Sequence, residues 1–221
     1  MPIAPWLTVE QYPGWVRQMA DPMMTPAQGG IAGVRVALGQ SAPRKWALEQ
    51  VLSWLDRRVP GWRRIPDPDD IEIALAPRRN LPKTDQYMVP ADLTPPRVWS
   101  SPEAALPRTM RLGTEDVMKR PIPQIASSVY HEVTHVPVER MATQNLGELK
   151  RLAEVARREL PSAELKRIFQ RYKGPPGTDL AEELVTTLFE HRAAWRHLGF
   201  PPGQSVNYPA GVMPPPWWRI K

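Results

Sequence analysis

The chain has no cysteine. That excludes disulfides, thiolate metal sites and cysteine nucleophiles, so any metal must be held by His, Asp or Glu. It also lacks an apolar run long enough to span a bilayer, and no membrane association is expected. The first residues, MPIAPWLTVEQYPGW, have no basic head followed by an apolar stretch. They do not read as a secretory signal, and residence in the cytoplasm of the producing cell is the expectation. No period in the range of about 20–50 residues recurs, which excludes a solenoid. Histidine is scarce as well, with four in 221 residues. Two of those four flank a single glutamate.

What the chain has in excess is proline, basic charge and tryptophan. There are 28 prolines and 9 tryptophans, with 29 Lys plus Arg against 23 Asp plus Glu. The prolines crowd the first 30 residues, then 60–123, then 201–216. The organisation expected is a Pro-rich arm over 1–42, a folded domain over 43–200, and a second arm over 201–221. Proline fixes φ and has no N–H, so neither arm can be a regular helix. Trp217 and Trp218 make the last arm too apolar for a plain solvated tail. It should pack these rings into a groove on the body or on a partner subunit. The basic clusters RRVPGWRR, KRLAEVARR and KRIFQR admit a nucleic-acid surface. The last two are interleaved with apolar residues at helical spacing, which describes solvated helix faces better.

Periodicity predicts helices over 43–58, 122–136, 143–160, 162–174 and 179–198, and a strand over 70–76, where DIEIALA alternates. QYMVPADL and PRVWS read as edge strands or loops. The fold class is α+β: a helix and a small sheet, then a mostly helical C-terminal half.

The segment SSVYHEVTHVPVER carries the chemistry. On a helix, Ile125, Ala126, Val129, Val133 and Val136 share one apolar arc, while His131 and His135 lie within about 40° of each other on another face. That spacing lets both imidazoles reach one ion, with Glu132 beside it as a non-ligating base. Pro137 disfavours helical geometry at Val136, so the helix is expected to end just past His135. The bland alternative is two unremarkable histidines on a solvated face. A catalytic zinc site also needs a third protein ligand and one open position. Met141 stands where a third histidine would follow in a metzincin, so a downstream carboxylate is the candidate. Glu182 and Glu183 in GTDLAEELVTTLFEHR both qualify. Asp179 reads as an N-cap with Glu182 closing a capping box, which leaves Glu183 free to ligate. Glu182 is the second choice and Asp179 the third. Thr187, one turn beyond Glu183, is placed to hydrogen-bond a ligand.

With HEVTH followed by this glutamate-bearing helix, the sequence resembles the zincin metallopeptidases of gluzincin type. The EELVTTL run is similar to the metallopeptidase domains of phage and plasmid polyvalent or antirestriction proteins. The resemblance implies a zincin-like fold, a Zn2+ cofactor on His131, His135 and Glu183, and Glu132 as general base in peptide-bond hydrolysis of a protein or peptide substrate. Tyr172, His191, Arg192 and Tyr208 are candidate donors to the oxyanion. Two other readings stand beside this one. The first is a zincin-fold structural component of a phage or other assembly, with the arms as interfaces. The second is a DNA-associated or antirestriction protein.

Overall fold

A computed structural model describes residues 33–37, 39–66, 70–81, 91–93, 108–172, 177–198, 200, 202–203 and 205–206. Most of both Pro-rich arms, the PRVWS segment, Tyr208, Trp217 and Trp218 lie outside the described residues.

Among the described residues, four strands form one sheet: β1 (Val34–Val36), β2 (Ile71–Ala76), β3 (Ala91–Leu93) and β4 (Arg108–Gly113). Their order is β1-β2-β4-β3. β1, β2 and β4 run parallel, with Val34 opposite Ile71 and Ile71 opposite Arg108. β3 closes the edge antiparallel to β4. Parallel neighbours need a long crossover. Helix α1 (Ala42–Arg58) supplies it between β1 and β2. In β2, Ile71, Ile73 and Leu75 are buried while Glu72 and Ala74 are half-buried, the alternation that its sequence predicts. β1 falls inside the stretch read as an N-terminal arm. It is anchored where the Gly33 N–H donates to Asp70 Oδ1 at 2.8 Å. Gly33 has φ +122, and a Cβ there would meet the Arg63 carbonyl oxygen at 2.1 Å, so both conformation and space require glycine.

The rest is helical: α2 (Thr114–Lys119), α3 (Ile122–Gln144), α4 (Leu146–Glu159), α5 (Ser162–Arg171) and α6 (Thr178–Ala193). A π-helical turn, Ala194–Leu198, follows α6. No helix among the described residues is long and apolar enough to cross a membrane. One core joins the sheet to α1 and to the first part of α3, through Leu48, Val51, Leu55, Ile73, Met110, Leu112, Val129 and Val133. A second core lies among α4, α5, α6 and the last part of α3, through Val138, Leu149, Ile168, Leu184 and Leu188. Each of these side chains contributes about 1.5–3 kcal/mol on burial.

α3 does not stop at Pro137. It runs on to Gln144 with the proline inside it. An interior proline costs about 3 kcal/mol. The helix continues because Val136 is wholly buried in the first core and Val138 in the second, so the backbone between them is held from both sides. Glu139, one residue on, also accepts from Arg108 Nη1 of β4 at 2.7 Å.

The start of the C-terminal stretch lies on the body. Phe200 and Val206 are buried in the first core. Arg167 Nη2 donates to Ser205 Oγ at 3.1 Å, and Ser205 Oγ donates to the buried Glu164 carboxylate. Burial alone would raise the pKa of Glu164. The hydrogen bond and charge of His191, then Arg167 and Ser205, outweigh it and hold the group at about 2. A depressed carboxylate contributes stability that is complete above its ordinary value of 4.5 and is lost as pH falls towards 2. Glu164→Gln should therefore lower Tm at neutral pH and flatten the acid limb of Tm against pH. Calorimetry between pH 2 and 7 checks this.

Candidate metal centre

The centre is built where α3 and α6 pack together. α3 turns Ile125, Ala126, Val129, Val133 and Val136 wholly inward, as the apolar arc of the sequence requires. His131 is then carried to a buried position and His135 to a half-buried one, a turn apart on the side that meets α6. α6 starts at Thr178 with Gly177 as its N-cap, and no side chain caps it. Asp179 is thus a first-turn residue and not the N-cap, and the capping box with Glu182 does not form. The first-turn carboxylate still faces the positive end of the helix dipole. Glu183 is buried and Glu182 half-buried.

His131, His135 and Glu183 form a group that could hold a metal ion, with one ligand atom of each lying within 4.8 Å of the others. His135 Nε2 is 3.2 Å from His131 Nε2. Glu183 Oε1 is 3.9 Å from His131 Nε2, and its Oε2 is 3.7 Å from His135 Nε2. Around a tetrahedral ion with bonds of about 2.0–2.2 Å, ligand atoms sit roughly 3.3–3.6 Å apart. The two histidine nitrogens already stand close to that separation, and the two Glu183 oxygens each lie nearer to a different imidazole, so a small ion needs one of those oxygens drawn in towards both. The donor set, two imidazole nitrogens and a carboxylate oxygen, suits zinc and its borderline neighbours.

A shell of hydrogen bonds fixes these groups. Glu190 lies two turns beyond Glu183 on the same face of α6 and is buried. Its Oε2 accepts from His131 Nδ1 at 3.0 Å, and its Oε1 accepts from Ser127 Oγ at 2.7 Å. A carboxylate can only accept, so Nδ1 carries the proton and Nε2 faces the other two ligands. Thr186 Oγ1 lies 3.4 Å from His135 Nδ1. Thr187 does not take that part. Its carbonyl accepts from His191 Nδ1 at 3.0 Å. The Tyr172 phenol donates to Glu183 Oε2 at 3.4 Å.

Protonation follows from this packing. Burial would lower the pKa of His131, but the hydrogen bond and charge of Glu190, then the charges of Glu183 and Glu132, raise it to about 10. His135 is pushed down to about 4 by burial and by the His131 cation beside it, with Glu183 opposing and Arg171 and Arg108 adding to the fall. At neutral pH the positive charge of the pair therefore sits on His131, and an incoming metal must displace a proton from it. Glu183 is pushed up by burial and pulled down more strongly by the two histidines, Arg171 and Tyr172, so it stays ionised. Glu182 is raised by burial and by the charges of Glu139 and Asp179.

Of the three candidate oxyanion donors among the described residues, only Tyr172 reaches this centre. His191 is wholly buried and directed at Thr187 and Glu164. Arg192 is held by Glu159 through two bonds of 2.6 and 2.9 Å. Tyr208 is outside the described residues. Sequence reasoning missed Glu190 and Ser127. The available signal was the seven-residue spacing of Glu183 and Glu190, which puts both on one helix face. Glu190→Ala should lower metal affinity about 10–100-fold while leaving the three ligands in place. Competition titration against a chromophoric chelator reads that change.

No protein family, curated protein or solved structure compared with the chain matches it.

Proposed function

We propose that the protein is a zinc-dependent metallopeptidase of gluzincin type. The observation that carries the reading is the buried His131–His135–Glu183 triangle, in which two helices far apart in sequence bring together three ligand atoms at distances suited to one ion. Zinc bound there would act as a Lewis acid, lowering the pKa of a water and polarising a carbonyl oxygen. The chain's own groups do the rest. Glu132 is half-buried next to His131, and its charge is felt by that imidazole. It takes a proton from the attacking water and returns it to the leaving amine. Tyr172, pushed up to about 12 by burial and then by the charge of Glu183, keeps its proton at every physiological pH. It can therefore donate to the oxyanion. Glu190 holds His131 in the tautomer that ligation needs, with Ser127 steadying the carboxylate.

The reading is tested by incubating zinc-loaded protein with a denatured protein mixture. Cleavage that a chelator abolishes and added zinc restores is the expected result. Absence of zinc-dependent cleavage removes the assignment.

A further inference from the structure

Two arginines act on His135 through space, Arg108 and Arg171. Their situations differ. Arg108 is buried at the start of β4 and bound to Glu139 at 2.7 Å. Arg171 is exposed at the end of α5 and makes no ion pair among the described residues. Its guanidinium stands over the ring of Tyr172, 5.8 Å from the centroid, and that phenol touches Glu183. Its charge is felt by His135, Glu183 and Tyr172 alike. Of the acids nearby, Glu139 is paired with Arg108, while the charge of Asp179 is felt by both Glu182 and Tyr172. The result is a positive charge with no ion-pair partner among the described residues, one tyrosine ring from the candidate ligands.

We propose that Arg171 receives a carboxylate of the substrate, so that the enzyme prefers polypeptides with an acidic group within a few residues of the bond it cuts. The inference rests on the peptidase reading above. A guanidinium placed over an aromatic ring still offers N–H donors, in a fork that matches the two oxygens of a carboxylate. Placement over the ring also holds the charge in position, which a lysine on a flexible stem would not achieve. An extended peptide advances about 3.3 Å per residue, so a carboxylate reaches this point from a residue close to the scissile bond. It can come from an Asp or Glu side chain or from a free C-terminus.

The experiment maps cleavage positions by mass spectrometry after digestion of a denatured protein mixture by wild type, Arg171→Gln and Arg171→Glu, with zinc content measured in each. Wild type should cut next to acidic residues, or near C-termini, about tenfold or more above their frequency. Arg171→Gln should still bind zinc at about one per chain and lose the preference, and Arg171→Glu should shift it towards Lys and Arg. Matched peptides separate the two carboxylate sources, one with an internal Glu and an amidated end, the other neutral with a free end. Wild-type cleavage without acidic enrichment, or enrichment that survives in Arg171→Gln, overturns the inference and leaves the peptidase standing. No cleavage by zinc-loaded wild type removes the peptidase reading and this inference with it.

Discussion

Glu132→Gln should retain zinc and fold and lose at least ~100-fold in turnover, the scale that general-base catalysis supplies. The substitution preserves size and hydrogen bonding and removes only the proton acceptor. Glu132 is half-buried and lies outside both cores, so little stability should change with it. Its charge is one of those that raise His131, so the variant should also ease the displacement of the proton by metal. A protein that uses this fold as scaffold would be indifferent to the change. Cleavage of denatured protein, measured beside zinc content and Tm, separates the two outcomes. Equal turnover in variant and wild type would remove Glu132 from the mechanism.

The second large effect concerns the choice between neighbouring glutamates. Glu183→Ala should take zinc from about one per chain to near zero after dialysis, because two imidazoles alone leave half of a tetrahedral shell to water. Glu182→Ala should keep its zinc. Glu183 oxygens lie 3.7 and 3.9 Å from the imidazole nitrogens, whereas Glu182 is not part of that cluster and feels the charges of Glu139 and Asp179. Equal zinc in the two variants would mean that the third ligand is elsewhere.

The helices of this fold were legible because their apolar periods are strong. Trp46, Leu48, Val51, Leu52 and Leu55 mark α1, and the arc from Ile125 to Val136 marks α3; all are buried. The end of α3 was not legible, since Pro137 is a local stop signal and the burial of Val136 and Val138 in two separate cores is not local. β1 has three residues and no pattern of its own. β4 alternates, but Arg108 and Arg111 disguise it; Arg108 is buried with Glu139 receiving its charge. The His131–His135 pair could be read from i, i+4 spacing, and Glu183 from position on a later helix. Glu190 and Ser127 could not. A glutamate seven residues past Glu183 has the sequence signature of any solvated carboxylate, and only the packing of α3 on α6 turns it towards His131. The same packing buries Glu183 rather than Glu182, which no helical wheel of α6 alone decides.

Zinc content together with absorption spectroscopy at the zinc edge, on wild type and His135→Ala, tests the central claim most directly. The account predicts about one zinc per wild-type chain, a nearest shell of nitrogen and oxygen at about 2.0–2.1 Å with imidazole scattering beyond it, and near-zero zinc in the variant. Absence of zinc from wild type after exposure to it, or equal zinc in both proteins, would contradict it.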